Sequence, residues 1–104
     1  EYMFPPKYGI EPFKMKKYDA NGIDEFGWHS DVNGVGSMNR WLAFFVYLSD
    51  NEEGKTEFPY HYETTDCKKG NMVIFPPMWP WLHRGTKPII KPKYFLGSYL
   101  HYVD

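Results

Sequence analysis

The sequence of 104 residues has one cysteine, almost no net charge and no long apolar run. The lone Cys67 excludes an internal disulfide framework and a cysteine-built zinc site, and it fits a reducing compartment without requiring one. Twelve Lys and Arg against 13 Asp and Glu leave a formal charge of −1, which is no electrostatic footprint for nucleic acid. The longest apolar run, Trp41 to Leu48, is eight residues, where a membrane-spanning helix needs about 20. No basic and apolar leader opens the chain, so the expectation is a cytoplasmic protein with no membrane and no nucleic-acid partner. A sequence that begins at Glu1 and not at Met does not exclude a leader upstream. Repeats and low-complexity tracts are also missing. Nine Gly and nine Pro are scattered without period, which excludes a collagen-like repeat and disfavours a helical bundle.

Aromatic residues are abundant. Eight Phe, four Trp and nine Tyr make up 20% of the chain, ample material for a core and a strong argument against intrinsic disorder. The length suits one domain over residues 1–104. Pro5, Pro6, Gly9 and Pro12 predict an irregular segment over 1–12, with the folded core over 13–104. Phe13 to Tyr18 alternates apolar and basic residues at the period of a half-buried strand. Asp19 to Gly22 reads as a turn, Phe26 to Val32 as a strand and Asn33 to Gly36 as a glycine-rich loop. Trp41 to Leu48, apolar on both faces, predicts a central strand. Ser49 to Gly54 reads as an acidic turn, Thr56 to Tyr62 as extended, and Thr64 to Cys67 as a short strand before the turn 68–71. Met72 to Phe75, Trp81 to Arg84 and Tyr94 to Tyr102 complete the set. About eight short strands with little helix predict an all-β sandwich or jelly roll.

The chemistry starts at His29-Ser30-Asp31. On a strand, residues two apart share a face, so His29 and Asp31 could grip one ion together. His83 lies 52 residues beyond Asp31. Two histidines and one carboxylate compose the facial triad of non-haem Fe(II) sites, which leaves positions open for substrate and O₂. An H-x-D alone is weak, because a lone histidine is more often structural. From Cys67 onward the only acidic residue is Asp104, while Lys and Arg recur. A solvated basic face is the plain reading of that bias, and attraction of an anionic ligand is the functional one.

The surrounding residues sharpen the reading. Gly54-Lys-Thr-Glu-Phe-Pro59 follows the apolar strand, Gly70-Asn-Met-Val-Ile-Phe75 precedes the second histidine, His83-Arg-Gly-Thr-Lys-Pro88 follows, and Lys93 stands ten residues after His83. In this order and at these intervals the set resembles the Fe(II)/2-oxoglutarate-dependent oxygenases, in particular their prolyl 4-hydroxylase-like branch, over roughly residues 13–102. The resemblance implies a double-stranded β-helix of the jelly-roll or cupin kind, in a minimal version with little N-terminal helix. It implies a dioxygenase of the procollagen-proline 4-dioxygenase type, which decarboxylates 2-oxoglutarate to succinate and CO₂ and hydroxylates a C–H bond, most directly that of a peptidyl proline. Its cofactors would be Fe(II), 2-oxoglutarate and O₂, with ascorbate as an accessory.

Residue by residue, the resemblance gives His29, Asp31 and His83 as metal ligands and catalytic residues. It gives Lys93 as the cation for the far carboxylate of 2-oxoglutarate, with Thr56 and Tyr18 assisting. Lys91 is the nearest rival to Lys93, and Thr56 and Tyr18 could equally be ordinary strand and core residues. The interval from Tyr18 to His29, eleven residues, is longer than is usual in the branch. Arg40, Tyr99 and His101 match positions beside a peptide groove, and structural roles fit them as well. Trp28, Trp79 and Trp81 fall near the expected ligands in sequence, where exposed aromatics could dock a proline-rich chain. The short loop from Asp31 to Arg40 implies a groove open to a polymer or peptide, or a cover supplied by a second copy in a homodimer. The rival readings are the same chemistry on a free amino acid or nucleobase, a non-enzymatic jelly-roll binding module, and a zinc protein on the same three ligands.

Overall fold

The computed structural model describes residues 5–20, 26–86, 88 and 91–103. Nine strands lie among them: β1 (Tyr8–Ile10), β2 (Lys14–Tyr18), β3 (Phe26–His29), β4 (Arg40–Tyr47), β5 (Asn51–Phe58), β6 (Glu63–Cys67), β7 (Met72–Phe75), β8 (His83–Gly85) and β9 (Lys93–Tyr102). Helix among the described residues is limited to two three-residue 3-10 turns, Val35–Ser37 and Pro59–His61. Two antiparallel sheets result, ordered β1-β9-β4-β7 with β2 also on β9, and β3-β8-β5-β6. This is the jelly-roll architecture expected from the strand pattern.

β4 is central, with β9 on one side (Ala43 opposite Tyr99, Phe45 opposite Gly97) and β7 on the other (Ala43 opposite Phe75). Ala43, Phe58 and Phe75 form the buried centre between the sheets, flanked by Phe45, Val73, Trp81 and Tyr99. Phe58 and Phe75 meet edge to face with ring centroids 5.0 Å apart. Each such buried ring contributes roughly 1.5–3 kcal/mol over an exposed one.

The sequence expectations need five corrections, the first being that the stretch expected to be extended from Thr56 to Tyr62 ends at Phe58, where Pro59–His61 forms a 3-10 turn closed by Tyr62 in the left-handed region. Residues 8–10 are not irregular but add a three-residue edge strand to β9 (Tyr8 opposite Tyr102), where neighbouring prolines break no ladder bond. The acidic turn ends early. β5 already begins at Asn51, whose Oδ1 accepts from the backbone N–H groups of Glu53 and Gly54 at 3.2 and 2.8 Å while its Nδ2 donates to Lys91 O at 2.7 Å. The strand expected over 26–32 stops at His29, leaving Asp31 in the following loop. β8 begins only at His83, because Trp81 and Leu82 precede the ladder. The turn expected at 19–22 falls partly on Asn21 and Gly22, outside the described residues.

β2 holds its expected position. Phe13 and Met15 are 59% and 68% exposed, while Lys14, Lys16 and Tyr18 line the cavity between the sheets. Met15 pairs with Leu96 on the outer face of the larger sheet, where Met72 and Ile74 are also exposed.

Candidate functional site

His29 and His83 end and begin their strands as direct partners across the β3–β8 pair, with ring centroids 4.3 Å apart. Asp31 joins them from the loop. Its neighbour Val32 donates its N–H to Pro77 O at 2.7 Å, which holds the loop against the β7–β8 connection. Asp31 Oδ1 lies 3.3 Å from His29 Nε2, and Oδ2 lies 3.6 Å from His83 Nε2. One donor atom from each of the three residues falls within 4.8 Å of the others. His83 Nδ1 donates to Trp81 O at 2.9 Å, since a carbonyl only accepts, and in the neutral ring this leaves the Nε2 lone pair facing Asp31. Burial lowers the His83 pKa and so favours that neutral form. Burial also works to raise the Asp31 carboxyl, but the hydrogen bond from His29 and the charge of His83 outweigh it and hold it below the usual carboxylate range. Two imidazoles and a carboxylate in contact suit a divalent cation, which ligates imidazole in its neutral form.

The cluster opens on a cavity of about 290 Å³ between the sheets. Lys93 lies along this cavity and is 1% exposed. Among the described residues no carboxylate pairs with it, and its Nζ lies 4.7 Å from the Tyr18 ring centroid. Burial pushes its pKa down to about 8. The channel that holds it depends on two glycines. A Cβ on Gly54 would meet Lys93 Cδ at 2.5 Å, and one on Gly85 would meet Nζ at 3.2 Å. Lys91 is exposed and engages Asn51 only through its backbone. Thr56 is buried on the same cavity, with its hydroxyl 2.9 Å from Tyr47 Oη. Tyr18, opposite Lys93 on β2, is buried and lies edge-on to Phe95, and burial raises its pKa.

At the other end stand Arg40, Tyr99 and His101. The Arg40 guanidinium stacks 4.0 Å from the Tyr99 ring centroid, and its Nη1 donates to Asp31 O at 3.4 Å. Glu11, a residue the motifs do not mark, binds this group together. It accepts from Arg40 Nε at 2.6 Å and Nη2 at 2.9 Å, and it lies 2.5 Å from His101 Nε2. The Arg40 hydrogen bond holds the Glu11 carboxyl below its ordinary value against the opposing effect of burial. The three tryptophans differ in setting. Trp28 carries Arg84 4.3 Å above its ring, Trp81 stacks on His61 and meets the core at Phe58, and Trp79 is 73% exposed.

A family model for the 2OG-Fe(II) oxygenase superfamily matches residues 13–101. The chain belongs to that superfamily. Solved structures of similar fold include a truncated viral collagen prolyl hydroxylase from Paramecium Bursaria Chlorella virus-1 (22% identity, 95% of this chain and 59% of that one, TM-score 0.79). A prolyl 4-hydroxylase from Phytophthora capsici is similar at 22% identity over 86% of this chain and 31% of that one, with a TM-score of 0.70. A cupin protein from Bacteroides fragilis shares the fold at 16% identity, covering 89% and 66%, with a TM-score of 0.62. The chain thus spans about three-fifths of the viral enzyme's length. No curated protein matches the sequence.

The superfamily is named for Fe(II) and 2-oxoglutarate, and the cavity has a donor cluster and a buried cation of the kinds such ligands need. Sequence reasoning did not find Glu11 or Tyr47. Tyr47 is fully buried, and its hydroxyl bridges Thr56 and Thr65 at 2.9 and 2.6 Å, fixing the Thr56 side chain. Its place in the apolar run could have hinted that its hydroxyl needs a buried partner. Glu11 carries no such signal. Among the described residues no helix is long and apolar enough to cross a membrane.

Proposed function

We propose that the chain is the catalytic unit, over residues 1–104, of an Fe(II)- and 2-oxoglutarate-dependent dioxygenase that hydroxylates a peptidyl proline. The observation that carries this is one cavity with the His29–Asp31–His83 cluster on it and the buried cation Lys93 on it as well, with no carboxylate paired to Lys93 among the described residues. His29, Asp31 and His83 would hold the metal. Lys93, assisted by Thr56 and Tyr18, would take the far carboxylate of 2-oxoglutarate. Bound Fe(II) supplies O₂ activation coupled to decarboxylation of 2-oxoglutarate to succinate and CO₂.

The chain's own residues do the rest. The Trp81 carbonyl keeps the proton of His83 on Nδ1 and so keeps Nε2 free to ligate. Phe45, Phe75 and Phe95 line the cavity and exclude water. Lys93 offers a single buried charge to a terminal carboxylate, where desolvation makes the pairing strong. Arg40, Tyr99 and His101, fixed by Glu11, form the edge against which an extended peptide would lie. A proline-rich chain is already extended and loses little entropy on docking. Ascorbate would serve as an accessory reductant, and a second copy could complete the cover of the groove.

Mass spectrometry of a proline-rich peptide panel, after incubation with Fe(II), 2-oxoglutarate and ascorbate, tests the reading. The expected result is a gain of one oxygen atom on proline, dependent on 2-oxoglutarate. Hydroxylation of a free amino acid and of no peptide would replace the substrate class.

A further inference from the structure

We infer that Arg40, clamped by Glu11, is a positioning residue that holds the loop carrying the metal ligand Asp31. This deepens the proposed function and rests on its metal reading, and it adds to the place of Arg40 on the peptide edge. The first observation is where Asp31 lies. His29 and His83 are fixed by their pairing across β3 and β8. Asp31 has no such ladder, because β3 stops at His29. A loop carboxylate keeps a fixed place beside two imidazoles only if other contacts hold its backbone. Val32 N–H, donating to Pro77 O at 2.7 Å, supplies one such contact. Arg40 Nη1, donating to Asp31 O at 3.4 Å, supplies another.

The second observation is how little freedom the Arg40 guanidinium has. Glu11 accepts from its Nε at 2.6 Å and its Nη2 at 2.9 Å, which occupies one whole edge of the planar group. The Tyr99 ring centroid lies 4.0 Å away and closes one face. Glu11 is pinned in turn through its backbone, its N–H donating to Tyr99 O at 3.0 Å and its carbonyl accepting from Ser98 Oγ at 2.6 Å. With an edge and a face both set, Nη1 is aimed at the Asp31 carbonyl. The bond is long at 3.4 Å, so its use lies in a fixed direction more than in strength. Charge and positioning have opposite signs here. A positive group near a cation site opposes the cation, so by charge alone removing Arg40 would tighten metal binding. Positioning requires that it weaken.

Anaerobic calorimetric titration with Fe(II) alone, without 2-oxoglutarate or peptide, tests the inference. Arg40→Lys keeps the charge but cannot span Glu11 and Asp31 together, and it should bind Fe(II) about ten-fold more weakly, as is usual when the support of a metal ligand is lost. Arg40→Met should also bind more weakly, against the sign that charge alone gives. Glu11→Gln leaves Arg40 in place with a looser grip and should lose about three-fold. Added to Arg40→Lys it should cost nothing more, since Glu11 acts through Arg40. Melting curves of the metal-free variants check that each is folded, and if the Arg40 variants are not, the Glu11→Gln titration decides by the same loss or its absence. Unchanged Fe(II) affinity in Arg40→Lys, tighter binding in Arg40→Met, or additive losses in the double variant would overturn the inference. Weaker peptide binding with Fe(II) affinity unchanged would confine Arg40 to the peptide edge and overturn it as well. Fe(II) binding that depends on Arg40, with no turnover of 2-oxoglutarate, would overturn the dioxygenase reading and leave the positioning role standing.

Discussion

Glu11 grips Arg40 through two hydrogen bonds, 2.6 Å to Nε and 2.9 Å to Nη2, across 29 residues of sequence. The carboxylate comes from the link between the edge strands β1 and β2. Backbone bonds fix that link, with Glu11 N–H donating to Tyr99 O at 3.0 Å and Ser98 Oγ donating to Glu11 O at 2.6 Å. The pair therefore ties the N-terminal edge to the start of the central strand and aims the guanidinium over Tyr99.

Glu11→Gln should lose roughly 1–2 kcal/mol of stability in urea unfolding, because charge-assisted bonds to partly buried partners weaken. The loss should depend on pH. The Glu11 pKa is lower in the folded chain than its ordinary value of 4.5, so its contribution is complete above the unfolded value and disappears as pH falls through the folded one. Parent and variant should converge in acid. A constant gap down to the acid limb would refute the assignment.

Gly54→Ala should reduce 2-oxoglutarate affinity by at least about ten-fold in a binding titration, because its Cβ would sit 2.5 Å from Lys93 Cδ and displace that chain. Gly34→Ala, where nothing lies within 4 Å of the new Cβ, is the control and should leave affinity unchanged. Equal behaviour of the two variants would separate Lys93 from cosubstrate binding.

Lys93 predicts an unusual alkaline profile for the ligand-free protein. Its pKa falls from the ordinary 10.5 to about 8 on folding. Between those values the unfolded chain holds a proton that the folded chain has released, so stability rises with pH across that window. Below pH 8 the buried charge weighs on folding in full. Lys93→Met should therefore raise the melting temperature at pH 7 by several degrees, remove the alkaline increment, and weaken 2-oxoglutarate binding by about a hundred-fold or more. Parallel melting profiles for parent and variant would contradict this.

Much of the fold was legible because burial and period agreed. Met72 to Phe75 forms a strand with those bounds, and the run from Trp41 became the central β4, from Arg40 to Tyr47, with β9 and β7 paired along its two edges. The rest depended on contacts distant in sequence. β1 exists only because β9 offers its edge, which no local pattern around Pro5 to Pro12 announces. Asn51 starts β5 through a bond to Lys91, 40 residues away. The alternation in β2 gave the strand but not which of its faces meets the cavity, which depends on how β2 pairs with β9. At the site, the family resemblance pointed to His29, Asp31, His83 and Lys93 as neighbours, yet the shared strand face expected for His29 and Asp31 is instead a strand end and a loop. Glu11 was invisible, since a single carboxylate between a strand and a proline has no distinguishing pattern.

The central claim is that His29, Asp31 and His83 hold one Fe(II) in the same cavity where Lys93 holds 2-oxoglutarate. Anaerobic titration of the chain with Fe(II), followed by 2-oxoglutarate, tests it by visible absorbance. The expected result is a weak charge-transfer band that saturates at one iron per chain, appears only with 2-oxoglutarate, and is absent in Asp31→Ala. A band that persists unchanged in Asp31→Ala, or iron binding with no 2-oxoglutarate-dependent band in the unaltered chain, would contradict it.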